Sequence, residues 1–519
     1  MTSASGNCSS RWKAAILVGA VSFFSFIYFY EGGGWNQNSR IDLLRAIVEQ
    51  HTLRIDAYHE NTQDKAHFQG HYYSDKAPGL VFLAVPVAVV ARSVMRVVGI
   101  DPSSARGEYL LSYFVSAFVV ALPTALAVVG LFFLGLRFGV GVDGAAFGAL
   151  VMGMGTPIWA YASLFWAHAM VGACLVFGFA AAVKVETENS CEAKIPTSRT
   201  NIARDPSTSL RARMGHPSSS RAAEFWWALA VGLAAGWATV TEYPAAPASA
   251  ALALFALSQV WDRGWAARSR VVAGIGIGAL LCVAVLMGYL HAAFGGFRPS
   301  YSYYDPNSFS FMQQQGYMGL TYPHPDRLLK LLFGCARGLF FASPICLAAV
   351  AGLWWLRKTT QAAAIVAGGI VAYYFLFNSS FYWWKAGLTF GPRYAGAAIP
   401  LLCLGLSLAW ERVGVTGRRV MIALAGCSVF VALMAVSTTS QLAMQDSCPL
   451  VHSTWPAFWA GKMAMNSDSM LTVAEAASGK YGAFNLGQVI GLRGLASLLP
   501  LFAMWGSAGV VWVRIRRAE

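Results

Sequence analysis

The pair Asp75-Lys76 stands in the stretch GHYYSDKAPG, residues 70–79, between aromatic residues and a proline. A lysine ammonium is a compact, mobile cation that suits phosphate groups. The alternative is a simple interfacial ion pair, which contributes little where it is exposed. We predict that Lys76 binds a phosphate, and we count Asp75 among the candidate catalytic residues.

Two further cations, Lys385 and Arg393, lie in WWKAGLTFGPRY at residues 383–394. A guanidinium can bind a phosphate through two parallel hydrogen bonds. The alternative is an aromatic belt with snorkelling cations, but such a belt does not require the Gly391-Pro392 turn before the arginine. Both cations are therefore predicted to help bind a phosphate.

Four polar residues near the predicted helix ends are candidate substrate ligands. They are His168 in YASLFWAH, Glu242 in TEYP, and Tyr304 and Asp305 in RPSYSYYDPN. Three of them have a structural alternative: the histidine could support packing, the glutamate could end a span near the surface, and Asp305 could form a turn before proline. The tyrosines that flank Asp305 could stack on a sugar.

A metal site receives little support from the sequence. The spacing of His59, His67 and His71 with Asp64 matches no familiar site, and the nine cysteines form no metal pattern. We therefore predict no metal and no other cofactor. A disulfide between Cys335 and Cys448 stays open, if their compartment is oxidising.

The elements that must position these residues are membrane helices. Of 519 residues, 56% are hydrophobic and 12% charged, whereas soluble chains carry about 25% charged residues. Uncharged apolar runs recur along the chain, and such spans must be helical because lipid offers the backbone no hydrogen bonds. The net charge of +14 fits membrane topology better than nucleic acid, because the basic residues lie mostly in loops.

One short segment decides the topology. The apolar run at residues 79–91 contains 13 residues before Arg92, fewer than the ~20 that a span usually needs. If it crossed the membrane, the later basic loops would face away from the cytoplasm. The positive-inside rule therefore favours an interfacial helix, with both termini cytoplasmic and the active site facing outward.

This choice predicts an all-α polytopic domain over residues 1–519 with twelve spans. The spans lie near 14–30, 109–136, 144–161, 168–183, 225–241, 245–260, 271–291, 338–356, 361–378, 394–410, 420–437 and 494–513. The run 144–183 should hinge between Pro157 and His168. Residues 31–108 and 438–493 become outer loops, and residues 184–224, rich in serine and charge, become a disordered cytoplasmic connection.

The first hundred residues resemble the type C (GT-C) glycosyltransferases, which use lipid-phosphate sugars. A first span, the helix RIDLLRAIVEQ, an acid-Lys-Pro motif and an apolar interfacial helix are similar to bacterial aminoarabinose lipid A transferases and protein O-mannosyltransferases. In those relatives an aromatic-acid-Lys-Pro-Pro turn brings its lysine to the donor phosphate. Asp75, Lys76 and Pro78 match this turn, while Ser74 and Ala77 depart from it. The resemblance implies a polyprenyl-phosphate-linked sugar as donor, bound through Lys76.

The chain departs from the family immediately after the first span. Where the family places acidic residues, this sequence reads WNQNSRID, with amides at residues 36–38. Other carboxylates nearby are Glu31, Asp42 and Asp56. We favour Asp56 as the catalytic carboxylate, because Asp42 is expected on the surface of an amphipathic helix.

The sequence therefore favours an outward-facing glycosyltransferase of the cell envelope, in a bacterial inner membrane. Its acceptor, a glycan, lipid or protein, is not specified. A twelve-span transporter or flippase would instead show two similar halves and charges at the membrane midplane. A non-catalytic protein that only binds the lipid carrier is a further alternative, because the family's acid is missing.

Overall fold

A computed structural model of the chain describes residues 3–185, 217–305, 314–465 and 482–518. The side chains of residues 3–8 and 217–221 lie outside this description. The predicted cytoplasmic connection at 184–224 falls mainly on residues 186–216, which are outside the described residues, as are residues 466–481 of the predicted outer loop 438–493.

Helices make up most of the described chain, and the predicted all-α polytopic class is confirmed. In chain order they are α1 (Ser3–Ile27), α2 (Trp35–Gln50), α3 (Gly79–Val97), α4 (Ala105–Ser116), α5 (Leu122–Arg137), α6 (Val142–Met154), α7 (Ile158–Ala162), α8 (Ala167–Val185), α9 (Pro217–Thr241), α10 (Ala246–Ser258), α11 (Trp265–Phe294), α12 (Pro325–Phe333), α13 (Leu339–Ala342), α14 (Cys346–Leu356), α15 (Gln361–Ser380), α16 (Ile399–Arg412), α17 (Val415–Thr438), α18 (Trp455–Trp459), α19 (Leu486–Val489) and α20 (Leu499–Arg517).

Ten helical stretches among the described residues are long and apolar enough to cross a membrane. They include Gly79–Val97, and they include α4 and α5 as one continuous stretch through a π-helical turn at Ala117–Ala121. Three shorter apolar helices, Val142–Met154, Tyr243–Ser258 and Cys346–Leu356, accompany them. The count of twelve spans stays a prediction.

The long uncharged run after Asp143 is divided as its proline predicts. Pro157 lies between α6 and α7, where a proline cannot continue a hydrogen-bonded helix. The indole of Trp159 donates to the carbonyl of Ser25 over 2.9 Å, and Ser163 donates to the carbonyl of Phe26 over 3.0 Å. These bonds fix the hinge to the last turn of α1.

Contacts define two ends of the helix bundle. At the terminal end, the Trp12 ring lies 4.9 Å from that of Phe133, and Arg516 lies 3.0 Å from Asp143. At the other end, which we call the site end, Tyr113 donates to the carbonyl of Ile27 over 3.0 Å. Helix α1 therefore begins at the terminal end, and helix α20 ends there.

A short antiparallel hairpin positions the lysine motif. Strands β2 (Lys65–Phe68) and β3 (His71–Ser74) pair with Lys65 opposite Ser74. Gln69 and Gly70 form the turn with φ of 51° and 81°, as tight hairpin turns require. Because Asp64 directly precedes β2 and Asp75 directly follows β3, this register places the two carboxylates side by side.

Helix α3 begins and ends on the site end. Gly79 packs against the backbone of Val240 and Thr241, at the end of α9. Near the other end of α3, Arg92 lies 2.6 Å from Glu49 of α2. The continuous helix α4–α5 then runs from this end to the terminal end. The placement of α3 in a bilayer interface stays a prediction.

A second pair of strands closes the loop after α1. Strands β1 (Phe29–Glu31) and β4 (Ala483–Asn485) are antiparallel, with Tyr30 opposite Phe484. Leu486 then donates its amide to the carbonyl of Tyr28 over 2.9 Å. The loop after the first helix is thereby joined to the segment before the last helix.

Candidate anion-binding site at the site end of the bundle

The Lys76 ammonium lies between two carboxylates. Its Nζ is 2.8 Å from Oδ2 of Asp75 and 2.8 Å from Oδ2 of Asp64. The lysine side chain is only 9% exposed. The rule that exposed ion pairs contribute little to stability therefore does not apply to this lysine. Burial alone would lower the pKa of Lys76, but Asp64 and Asp75 outweigh it and raise this pKa. The lysine therefore stays cationic at neutral pH.

Asp75 joins three segments of chain. It is fully buried, accepts a bond from the Ser39 hydroxyl over 3.2 Å, and is hydrogen-bonded by the Tyr304 phenol. The Ser300 hydroxyl donates to its main-chain carbonyl over 2.6 Å. Burial raises the pKa of Asp75, and Lys76 opposes this. Of the predicted substrate ligands, Tyr304 therefore lies in this cluster.

Arg393 is buried with two other predicted site residues. Its Nε donates to Nε2 of His168 over 2.9 Å, and Nδ1 of His168 lies 2.9 Å from a carboxylate oxygen of Glu242. Nη1 of Arg393 donates to the carbonyl of Ala386 over 3.0 Å, and the guanidinium lies 4.6 Å from the Trp166 ring centroid. The sequence predicted these residues one by one, and the structure brings them together.

Arg40 of α2 is a third cation, which sequence reasoning missed. It is 2% exposed, and its Nη1 donates to the carbonyl and side-chain oxygens of Asn36. Its Nε has no hydrogen-bond partner among the described residues. Burial lowers the pKa of Arg40, while Glu242 opposes this. Electrostatic interactions of Arg40 with Arg393 and Lys76 place the three cations in one region.

No local sequence pattern indicates that α2 is buried. A helix with Arg, Asp and Gln at this spacing reads as an amphipathic surface helix, yet residues 37–44 are all buried. The expectation that Asp42 lies on the helix surface is wrong. Asp42 is fully buried and accepts a bond from Asn61 over 3.2 Å, and burial raises its pKa well above the usual range.

Three other predicted site residues form hydrogen bonds with groups other than Lys76, Arg40 and Arg393. Nζ of Lys385 donates to the carbonyl of Met444 over 3.2 Å. The Asp56 carboxylate is 43% exposed and lies 2.8 Å from Nδ1 of His71. The amide of Asp305 donates to the carbonyl of Lys65 over 3.2 Å. The catalytic role of Asp56 and the binding roles of Lys385 and Asp305 stay predictions.

Gln37, one of the three amide residues at 36–38, is hydrogen-bonded entirely to the main chain. Its amide donates to the carbonyls of Glu31 and Gly33 over 3.1 and 2.6 Å, and its oxygen accepts from the amide of Phe165 over 2.8 Å. The nearby Glu31 carboxylate accepts bonds from Thr439 and Ser440. Gln37 therefore ties the loop after α1 to the hinge before α8.

Within the described ranges, no group of three or more His, Cys, Asp or Glu residues could hold a metal ion. The histidines of the first loop contact other partners. Nδ1 of His59 lies 3.2 Å from Nζ of Lys65, and His71 contacts Asp56. Asp64, the fourth residue of that hypothesis, is bound to Lys76.

The disulfide that the sequence left open is present. Cys335 and Cys448 are bonded, with their Cα atoms 4.9 Å apart. Close to it in sequence, the buried Arg337 donates to the carbonyls of Lys385 and Gly387 over 3.1 and 2.9 Å. The turn that leads to Arg393 is therefore tied to the segment containing the disulfide.

The fold of this chain is similar to those of solved GT-C structures. ArnT from Cupriavidus metallidurans bound to undecaprenyl phosphate matches with a TM-score of 0.50 and 16% identity, over 97% of this chain and 75% of that chain. Its apo state matches equally well, over 100% and 76%. The oligosaccharyltransferase AglB from Archaeoglobus fulgidus, with an inhibitory peptide and a dolichol-phosphate, matches with a TM-score of 0.42 and 11% identity, over 82% and 55%.

No protein-family model matches the chain, and no curated protein does. The structural similarity to ArnT, an aminoarabinose lipid A transferase, has a TM-score of 0.50 at 16% identity, and it shows a shared fold. The GT-C fold predicted from the first hundred residues is confirmed.

Proposed function

We propose that this protein is an integral-membrane glycosyltransferase that takes a sugar from a polyprenyl-phosphate-linked donor and passes it to an acceptor at the site end. The observation that carries the proposal is the convergence of Lys76, Arg40 and Arg393 in one buried region. No carboxylate of the described residues lies within 4.0 Å of either guanidinium. The ArnT structure with undecaprenyl phosphate supports this class of carrier.

Buried guanidinium groups need an anion to offset the loss of hydration. A lipid phosphate at the membrane surface supplies one, and arginine matches its geometry. Helix α3 follows Lys76 almost directly and exposes apolar residues such as Val90 and Val94. An apolar surface beside a cationic site suits a ligand with a hydrocarbon tail and an anionic head.

The proposed reaction is a direct displacement at the anomeric carbon. The acceptor oxygen forms a bond to this carbon as the bond to the phosphate oxygen breaks, and the electron pair leaves with the polyprenyl phosphate. Lys76, Arg40 and Arg393 stabilise the charge on this leaving group. The configuration of the sugar inverts.

The acceptor proton needs a base close to the same site. Asp75 is fully buried, so we assign it to holding Lys76. Asp64 contacts the same ammonium and is 14% exposed, which suits a group that meets the acceptor. Asp56 remains the alternative named from the sequence.

The first experiment compares wild type with Lys76→Ala in purified form, measuring binding and transfer of a polyprenyl-phosphate sugar. Loss of a charge-assisted contact should weaken donor binding at least about tenfold. Lys330→Ala is the matched control, because this lysine is 58% exposed and its salt bridge is with Asp326. If Lys76→Ala binds the donor as wild type does, or no variant binds it, the proposal fails and a transporter becomes the better hypothesis.

A second comparison separates the carboxylates. Asp64→Asn should bind the donor but transfer it about 100-fold more slowly, as expected when a general base is removed. Asp56→Asn should transfer at nearly the wild-type rate, because its contacts are with His71 and the amide of Tyr72. The opposite result would restore Asp56 as the base.

Carrier binding without transfer is a second candidate function. The observation in its favour is that residues 36–38, where the family resemblance predicts acids, are amides, and that the side chain of Gln37 is bonded entirely to main-chain groups. This candidate predicts tight donor binding with no transfer to any acceptor. The proposed glycosyltransferase function predicts donor binding and sugar transfer.

We further propose that the terminal end faces the cytoplasm. Basic residues flank the helices there, and they are Arg263, Arg268, Arg270, Arg357, Lys358, Arg412, Arg418, Arg419, Arg514, Arg516 and Arg517. Such an excess is typical of cytoplasmic loops. The site then faces outward, in a bacterial inner membrane.

A further inference from the structure

We propose that His168 and Glu242 are a positioning pair, which orients Arg393 toward the anion, rather than ligands of the substrate. This inference rests on the proposed function, because it takes the anion to be the donor phosphate. His168 is 3% exposed and lies between the other two residues, with one ring nitrogen bonded to each.

The hydrogen bonds define the tautomer of the imidazole. Arginine keeps its proton in proteins, so Nε of Arg393 is a donor. Nε2 of His168, 2.9 Å away, must therefore accept. The ring proton then sits on Nδ1 and is donated to Glu242 over 2.9 Å. The imidazole is neutral in this arrangement.

The neutral imidazole between Glu242 and Arg393 keeps the carboxylate out of contact with the guanidinium. A carboxylate in contact with Arg393 would compete with a phosphate for its N–H groups. Here the carboxylate fixes the ring, and the ring fixes Nε. Nη1 bonds to Ala386 and Trp166 covers one face. Nη2 has no hydrogen-bond partner in the described part of the chain and is left for the ligand.

Protonation of His168 would break this arrangement, because both nitrogens of an imidazolium are donors. The charged groups that face the ring are Glu242 after α9, Arg393 in the 3₁₀ helix Arg393–Ala398, and Arg40 of α2. The rings of Tyr161 and Tyr394 lie 6.0 and 6.2 Å from it. An imidazolium would repel both guanidinium groups, so affinity for the anion should fall as the pH falls.

The test measures binding of undecaprenyl phosphate to the purified full chain in lipid nanodiscs, from about pH 8 to about pH 4, a range that extends well below the ordinary pKa of histidine. His168→Ala should weaken binding about tenfold. His168→Gln should stay within about threefold of wild type, because an amide offers one acceptor and one donor. Wild type should lose more affinity in acid than His168→Gln, because protonation of the phosphate monoester weakens binding to both proteins alike.

A double-mutant cycle distinguishes positioning from direct contact. His168→Ala with Arg393→Ala should bind no more weakly than Arg393→Ala alone. If the two losses multiply, or if His168→Ala binds like wild type while Arg393→Ala is weak, the inference is wrong. If Lys76→Ala and Arg393→Ala both bind as wild type does, the proposed function itself fails, and the positioning role with it.

Discussion

The side chain of Asn36 lies against the guanidinium of Arg40. Its side-chain oxygen accepts a bond from the guanidinium, and its own side chain is partly exposed. Asn36→Asp would place a carboxylate on Arg40 and satisfy its charge. We expect about tenfold weaker binding of undecaprenyl phosphate at an unchanged melting temperature. Asn36→Ala adds no charge and should bind nearly as wild type; equal affinities for all three proteins would exclude Arg40 from the site.

Placing an acid at residue 37 should harm the protein rather than improve catalysis. Gln37→Glu would replace an amide that donates to two carbonyls with a buried carboxylate that faces them. Leaving these acceptors without a donor costs about 1–3 kcal/mol for each group. The melting temperature in detergent should fall, and transfer should not rise. Faster transfer would show that residue 37 meets the acceptor.

Glu31 should make stability depend on pH. Burial raises its pKa from 4.5 to about 7, against the bonds from Thr439 and Ser440. The folded state therefore holds the proton more tightly than the unfolded state, so this contribution is complete below about pH 4.5 and lost as the pH rises through about 7. The contribution of Glu31 to the free energy of unfolding changes by roughly 3 kcal/mol across this pH range.

The check on Glu31 is the difference between two pH profiles. Melting temperatures of wild type and Glu31→Gln are compared from about pH 5 to about pH 8, so that other titrating groups cancel. The wild-type value should fall more steeply. Parallel profiles would mean that this carboxylate is ionised throughout.

At this scale local sequence patterns singled out individual residues but could not indicate which residues they contact. Lys76 and Arg393 were predicted because a motif and a turn mark them. Arg40 was missed because its role depends on burial by distant segments, which no local pattern records. His168 and Glu242 are 74 residues apart, so their pairing depends on the packing of α8 beside α9.

Among the elements, the disulfide should matter for stability. It joins the segment after α12 to the segment before α18, 113 residues apart in sequence. Cross-links of this kind typically contribute about 2–4 kcal/mol. Reductant should lower the melting temperature of wild type but not that of Cys335→Ser/Cys448→Ser. If reductant leaves the melting temperature of wild type unchanged, the disulfide does not contribute to stability.

The apolar elements were predictable, and the polar ones were not. The hinge at Pro157 follows from a proline in an uncharged run that is too long for one helix. The hairpin β2–β3 was not predicted, because four-residue strands with little alternation give a weak signal. It is this hairpin that brings Asp64 to Lys76, so the second carboxylate of the lysine could not be found from the motif alone.

For the whole molecule, the path of α3 can be tested by labelling. If α3 stays on the outer side, Ser103→Cys, between α3 and α4, should react with a membrane-impermeant maleimide in intact cells. Ser269→Cys at the opposite end, beside Arg270, should react only after permeabilisation. Both residues are exposed. Labelling of both cysteines from the same side would mean that α3 crosses.

The position of Lys76 directly before α3 has a kinetic consequence. If the ligand is the proposed lipid-linked donor, it reaches this cation, held directly before the apolar helix α3, by diffusing in two dimensions within its leaflet. The effective concentration is then the mole fraction of donor among the surrounding lipids, and the volume of the sample does not enter. Adding inert phospholipid at constant donor should slow the protein by surface dilution, whereas adding buffer should leave its rate unchanged.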